Sequence, residues 1–373
     1  MKLKFLILEM STSNHLCLIK NWRKCLRSKG VEASVAINKD INSEGYKLGD
    51  ELECVKSSLF GFIRFLISLR KQKVTDIIFT TVQTNLFFFL FLFMLTPRIK
   101  KVVTIHNANT WLRSRPNSTV KGWVKFLIRR FILSKTNCVV VCSENIKSFL
   151  EKDKGCRKRV IVMPFMLTYD SYNPGGEING KFTICIPGVV SESRKNYTKY
   201  LDILIDNPRM FRLVLLGRFK YESVSENFKR KLTFARSKGA EIILFSEFIS
   251  LQEYDFQLSQ CDLISADIVV NYTGTEDYEE VYGVSKDSGV SYNMISNRKP
   301  GLFNSGFKNL ISLNSSTMYY DSKEDLEQII LSLKENGALL ADLKVEANKN
   351  SIRYDALDDD NYYFTLAMNE LIK

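Results

Sequence analysis

One arrangement, strand, polar turn, helix, strand, constrains this chain more than any other feature. Residues 2–8 (K-L-K-F-L-I-L) open it as an apolar run. A polar turn follows at 9–14, then a helix from about His15 to Ser28 stopped at Gly30, then a second apolar run at Val31–Ile37. Apolar runs without polar alternation are strands covered on both faces, as in a parallel sheet flanked by helices. The pattern continues with helices over 60–71, 84–95, 121–135 and 143–153, and strands at 76–80, 101–105, 138–142 and 160–163. It restarts at Phe182–Pro187. Helices are expected over 195–207, 225–238 and 251–261, and strands over 212–217, 242–244 and 263–270. Further on, Leu310–Leu313 reads as a strand, 322–336 and 337–348 as helices, and the acidic run Asp355–Asp360 introduces a last helix.

Between the two series, 168–181 (T-Y-D-S-Y-N-P-G-G-E-I-N-G-K) has the Gly, Asn and Pro content of an interdomain linker. A chain of 373 residues exceeds one ordinary core. The expected fold class is therefore α/β, with two Rossmann-like, doubly wound domains facing a central cleft, over 1–170 and 171–350.

Charge divides along the same line. Residues 1–170 hold 30 Lys/Arg against 12 Asp/Glu, and 171–373 hold 23 against 29, giving +18 and −6 within a net +12. A basic half suits an anionic partner: lipid headgroups, a phosphorylated carrier or nucleic acid. No aromatic-basic module or groove-reading helix accompanies that charge, so nucleic acid is not expected. The eight cysteines are scattered without C-x-x-C spacing, which implies free thiols in a reducing compartment. Residues 1–10 do not have the form of a signal peptide. The longest apolar run, Leu86–Leu95, is half a membrane span, so a cytoplasmic protein is expected. Within 111–135, Lys121, Lys125 and Arg129 repeat at i, i+4 as a basic stripe beside Trp123, Phe126, Leu127 and Phe131. Such a helix suits an anionic membrane surface, peripherally bound, as well as it suits an ordinary solvated face.

The stretch 276–302 (E-D-Y-E-E-V-Y-G-V-S-K-D-S-G-V-S-Y-N-M-I-S-N-R-K-P-G-L) carries the chemistry. Tyr282-Gly283 turns the chain. Ser288 is placed to cap a helix from Val290 to Asn297, and Lys299-Pro300-Gly301 ends it. The free amides at such a helix start, with Gly289 allowing close approach and Lys286 adding a charge, suit a phosphate. The only D-x-D-like acids, Asp358–Asp360, lie far along the chain, so no metal is expected and fixed cations must hold the anion.

Taken in order, these pieces resemble the two-domain GT-B glycosyltransferases, nearest to the retaining glycosyltransferase family 4. V-V-T-I-H-N (102–107) is similar to the family's strand ending in a histidine, V-V-V-C-S-E-N-I-K-S-F-L (139–150) to its strand-Ser-helix step, and R-V-I-V-M-P-F (159–165) to its last strand before the linker. I-C-I-P-G-V-V-S-E-S-R-K-N-Y (184–197) and R-L-V-L-L-G-R (212–218) are similar to the donor-side strands. The resemblance implies a nucleotide-diphosphate sugar as donor substrate, no further cofactor, and a glycan or lipid-linked acceptor in cell-surface polysaccharide synthesis. It implies Arg194, Lys195, Lys286, Ser288, Gly289 and Val290 at the diphosphate, and Gly188, Tyr282 and Gly283 at the sugar or nucleotide. Glu280 and His106 stand in the catalytic positions, Ser11, Thr12, Ser13, Asn14 and Asn107 on the acceptor side, and 351–373 as a C-terminal helix packing back towards the first domain. His15 is expected to have no chemical part. Two departures stand out. Ser288 occupies the place of the family's second glutamate, and Arg194 and Lys195 are adjacent where the family spaces an Arg and a Lys apart. A sugar-nucleotide epimerase on the same fold, and a non-catalytic or nucleic-acid-binding protein using the basic half, are the alternative readings.

Overall fold

The computed structural model describes residues 3–12, 15–41, 52–56, 58–112, 119–152, 156–169, 180–273 and 278–372. Residues 170–179, the middle of the expected linker, lie outside that set, as do Ser13, Asn14, Glu276 and Asp277. The chain forms two units.

Unit 1 comprises 1–167, Thr273–Glu280 and Tyr354–Lys373. Its strands are β1 (Lys4–Glu9), β2 (Glu32–Asn38), β3 (Leu52–Val55), β4 (Asp76–Thr81), β5 (Lys100–Thr104), β6 (Cys138–Val141) and β7 (Arg159–Val162). They form one parallel sheet in the order β3-β2-β1-β4-β5-β6-β7. The helices are α1 (Leu16–Ser28), α2 (Leu59–Lys71), α3 (Leu86–Leu95), α4 (Ala108–Leu112), α5 (Val120–Lys135) and α6 (Glu144–Lys152). The direction of travel reverses between β1→β2 and β3→β4. Right-handed crossovers therefore put α1 on one face of the sheet and α2, α3 and α5 on the other.

Unit 2 comprises Thr168–Tyr272 and Val281–Arg353. It holds β8 (Thr183–Pro187), β9 (Lys195–Asn196), β10 (Arg212–Arg218), β11 (Ile242–Phe245), β12 (Leu263–Ile268), β13 (Asn271–Thr273, its last residue in unit 1), β14 (Glu279–Val281, its last residue in unit 2), β15 (Gly301–Asn304) and β16 (Thr317–Tyr320). Six of them run parallel in the order β11-β10-β8-β12-β15-β16, and β9 lies antiparallel on β12. Its helices are α7 (Thr198–Asp206), α8 (Glu226–Ser237), α9 (Leu251–Ser259), α10 (Gly289–Asn297), α11 (Lys323–Glu335) and α12 (Gly337–Ile352). The last helix, α13 (Tyr362–Ile372), belongs to unit 1. There Tyr363, Phe364 and Ala367 are fully buried, and the Tyr363 hydroxyl donates to Glu144 at 2.8 Å. Each fully buried large side chain contributes about 1.5–3 kcal/mol. The acids before α13 pair with α1 and the turn after it, through Lys24–Asp359 at 2.7 Å and Lys29–Asp360 at 2.9 Å.

Three local expectations are corrected. Lys195 does not start a helix: residues 195–196 pair with β12, and the helix begins at Thr198. Leu310–Leu313 is not a strand. Asn309 Oδ1 accepts from Leu310 N at 2.9 Å, a 3₁₀ turn follows over Ile311–Ser316, and the strand is the β-favouring Thr317–Tyr320. Arg129 leaves the expected surface stripe, since α5 buries it to 5% exposure.

Candidate functional site

The C-terminal end of the unit 2 sheet carries the residues singled out as donor-binding. β8 ends at Pro187, and Gly188 follows at φ +92°, in the left-handed region that suits glycine. A side chain at Gly217, at the end of β10, would collide with the Gly188 carbonyl, which is how the two strand ends come so close. β9 then brings Lys195 opposite Ile268 of β12. Its ammonium donates to the Pro187 carbonyl at 2.6 Å.

The loop before α10 is a tight turn. Gly283 N donates to the Lys286 carbonyl at 2.7 Å, and the Ser285 hydroxyl accepts from Val281 N at 2.8 Å. Gly283 itself sits at φ +80° with its Cα against the Lys308 carbonyl, so it shapes the loop and does not line the pocket. Gly283→Ala combines left-handed strain with a backbone collision, and a loss of about 1–3 kcal/mol or more is expected in chemical denaturation. α10 begins at Gly289, with Ser288 as an extended N-cap whose hydroxyl makes no capping bond. The Ser291 amide turns back to the Ser288 carbonyl at 3.2 Å, and the amides of Gly289 and Val290 stand at the positive end of the helix dipole. Arg298 closes the helix in the left-handed conformation, ahead of Lys299.

These elements enclose a cavity of about 310 Å³ lined by Gly188, Arg194, Lys195, Tyr282, Lys286, Ser288, Gly289 and Val290, all of them expected. Pro187, Val189, Tyr254, Ile268, Asp287 and Asn293 complete the wall and were not singled out. Asn293 lies one turn into α10 from Gly289, a spacing the sequence did offer. Its amide donates to the Tyr254 hydroxyl at 3.1 Å. Tyr272, outside the wall, organises the cations: the Arg194 guanidinium stands 5.3 Å from its ring and donates to its hydroxyl at 3.3 Å, and Lys286 Nζ lies 5.8 Å from the same ring. Lys195 is 8% exposed, and burial, with the Arg194 charge beside it, pulls its ammonium down to about 8. Three cations facing one helix N-terminus make a site for a di-anion.

A larger cavity, about 1100 Å³, lies between α2 and the β2–β3 edge and carries none of the expected site residues, so size does not locate the chemistry here. Among the described residues no three His, Cys, Asp or Glu side chains gather as metal ligands.

Unit 1 holds the other expected residues. Glu280 is 4% exposed and is a capping group, not a pocket residue. One carboxylate oxygen accepts from Thr110 N at 2.9 Å and Thr110 Oγ1 at 3.0 Å, and the other from Asn109 N at 3.3 Å, at the first turn of α4. His106 follows β5, and its Nε2 lies 2.9 Å from the Thr80 carbonyl, so that nitrogen carries the proton and donates. Its Nδ1 faces the Cys142 thiol at 3.7 Å. His15 stacks on His106 at 4.0 Å and contacts Thr81 Oγ1 through Nδ1, a packing contact that sequence did not suggest. Asn107 lines the same small cavity as His106, with Arg129.

Ser11 N and Thr12 N donate to one oxygen of Glu9 at 2.6 and 3.2 Å, and Thr80 Oγ1 donates to the other at 2.8 Å. Glu9 is fully buried, and burial pushes its carboxyl up despite these bonds. Sequence reading took it only as the first residue of a polar turn. An acid closing a buried strand beside a Ser-Thr turn was the available signal.

Residues 19–165 match the model of Glycosyltransferase Family 4. A comparison with curated protein sequences gives no match. Among solved structures, Anabaena HepE in complex with UDP is similar at TM-score 0.66 and 13% identity, covering 99% of each chain. Sucrose-phosphate synthase from Thermosynechococcus elongatus is similar at 0.65 and 10%, covering 98% of each. The pneumococcal O-GlcNAc transferase GtfA, in complex with UDP and GlcNAc, is similar at 0.62 and 7%, covering all of both. At such identities the likeness is one of fold. Residues 19–165 thus resemble Glycosyltransferase Family 4, and along its whole length the chain has the two-domain fold of these solved structures.

Proposed function

We propose that unit 2 binds the diphosphate of a nucleotide sugar, UDP in the first instance, and that the protein moves the sugar to a glycan or lipid-linked acceptor. The product belongs to cell-surface polysaccharide synthesis, and the anomeric configuration is retained. The observation that carries this reading is the single cavity joining Arg194, Lys195, Lys286 and the start of α10. Breaking the bond between sugar and diphosphate builds charge on the leaving oxygen, and fixed cations and amides aimed there stabilise it without a metal. UDP is favoured because HepE and GtfA hold it in their solved structures.

Titration of the protein with UDP, ADP and GDP, read as thermal shift and as calorimetric Kd, tests it. UDP is expected to stabilise the protein, unaffected by a chelator. Arg194→Ala is expected to weaken UDP about 10- to 150-fold, the equivalent of one charge-assisted bond of about 1.5–3 kcal/mol. No shift with any nucleoside diphosphate would overturn the reading.

A further inference from the structure

α2, α3 and α5 cover one face of the unit 1 sheet and touch one another. Phe88 of α3 packs on Phe62 and Phe65 of α2 at 5.0 and 6.0 Å between ring centroids, and α3 also packs on α5. The outer sides of all three are apolar and uncovered. Phe60 is 86% exposed, Ile67 49%, Phe87 58%, Phe91 49%, Trp123 52% and Leu127 58%. Scattered exposed apolar residues are ordinary, but three adjacent helices sharing them form a continuous patch of the kind that marks an interaction surface.

The charge around the patch has one sign. From Cys54 to Ser143 the sequence holds 15 Lys/Arg and a single acid, Asp76, which is buried. On α2, Phe60, Arg64, Ile67 and Lys71 follow at i, i+4, i+7 and i+11, so apolar and cationic side chains alternate along one exposed stripe. Lys121 is exposed in the first turn of α5.

We propose that this three-helix face docks on an anionic lipid bilayer, with its aromatic and aliphatic side chains entering the headgroup boundary and its cations on lipid phosphates. A second copy of the chain is disfavoured as occupant, because self-pairing sets like charges against each other. The face lies on the membrane and does not cross it. α3, of ten residues, is about 15 Å long against a hydrocarbon core of about 30 Å, and no described helix is long and apolar enough to span. The surface also differs from the 111–135 segment that sequence suggested. Arg129 is buried, Arg130 donates to the Leu112 carbonyl at 2.9 Å, and α2 and α3 supply most of the patch.

Co-sedimentation of the full chain with vesicles tests the proposal. Equimolar phosphatidylglycerol and phosphatidylcholine vesicles are expected to bind it, pure phosphatidylcholine vesicles weakly, and salt to release it. The Arg64→Gln, Lys71→Gln, Lys121→Gln variant is expected to lose about fivefold in partition per charge, about a hundredfold together. Phe60→Ser, Phe91→Ser, Trp123→Ser is expected to lower binding to both vesicle types. All six positions are exposed or helix-edge, so both variants should keep the wild-type melting temperature and its shift with UDP, which separates this outcome from failure of the donor reading. Absence of binding to the anionic vesicles, or variants that bind like wild type, would overturn the proposal. So would a dimer in light scattering that the Phe/Trp variant abolishes, which would assign the face to a second copy.

Discussion

Lys195→Met is expected to reduce kcat/KM for a UDP-sugar by about a hundredfold or more while leaving the resting fold as stable as before. Lys195 is buried in the unit 2 pocket with its ammonium on one carbonyl, that of Pro187. An unscreened cation next to a diphosphate makes a charge-assisted bond at the strong end of the about 1.5–3 kcal/mol range. In the empty protein the same burial works the other way. Holding an ammonium out of water is costly, so an apolar side chain of similar length offsets the lost bond to Pro187, which is worth about 1 kcal/mol. A fall in activity with an unchanged denaturation midpoint separates these two effects. A matching fall in stability would make Lys195 a structural residue.

The pH dependence follows from the same burial. The folded-state ammonium is pulled down to about 8 from an ordinary value of 10.5. Below about 8 the lysine is charged in both folded and unfolded chains, and the cost of burying it is fully present. Between about 8 and 10.5 the unfolded chain binds more protons, so this group makes stability rise with pH. Donor affinity must move oppositely, falling as the ammonium is lost above about 8, with some delay because a bound diphosphate holds the proton on. Calorimetric UDP titrations and denaturation midpoints across that window are expected to diverge, and Lys195→Met is expected to flatten both.

Glu280→Ala is expected to have the second large effect, this time on stability. The carboxylate is 4% exposed and takes hydrogen bonds from two backbone amides and one hydroxyl at the start of α4. Removing it leaves those donors buried without an acceptor, at about 1–3 kcal/mol each and not fully additive, so a loss of about 3–4 kcal/mol is expected in urea denaturation. UDP binding should stay close to wild type. Glu280→Gln, which keeps one acceptor oxygen, is expected to recover roughly half the loss. A wild-type denaturation curve with no transfer activity would return Glu280 to the catalytic role that sequence suggested.

Most strands of both sheets were legible because fully buried strands leave an unmistakable apolar run: K-L-K-F-L-I-L and V-V-T-I-H give β1 and β5 within a residue or two. The unit 2 pocket was legible in part for the same reason. Strand ends in a parallel sheet gather at one edge, so Gly188, Lys195 and the start of α10 meet although about a hundred residues separate them. What the sequence did not show depended on contacts that local pattern does not encode. Lys195 and Asn196 look helical beside Thr198–Asp206 until β12 offers them a partner. Glu280 sits among acids that read as a solvated loop or a catalytic group, and only the distant start of α4 reveals a cap. His15 and His106 are 91 residues apart, and nothing in either neighbourhood announces that their rings stack.

Unit 1 is assembled from three pieces of sequence, and α13 is made only after the whole of unit 2. Until that helix emerges, the hydroxyl of Tyr363 cannot meet Glu144, and the apolar surface that Tyr363, Phe364 and Ala367 will fill stays wet. The nascent first 167 residues are therefore an unfinished core that must wait for the whole of unit 2 to be translated. A chaperone would have its longest opportunity to act in that interval, and a chain cut before α13 would be harmed first in unit 1 rather than in the unit just made.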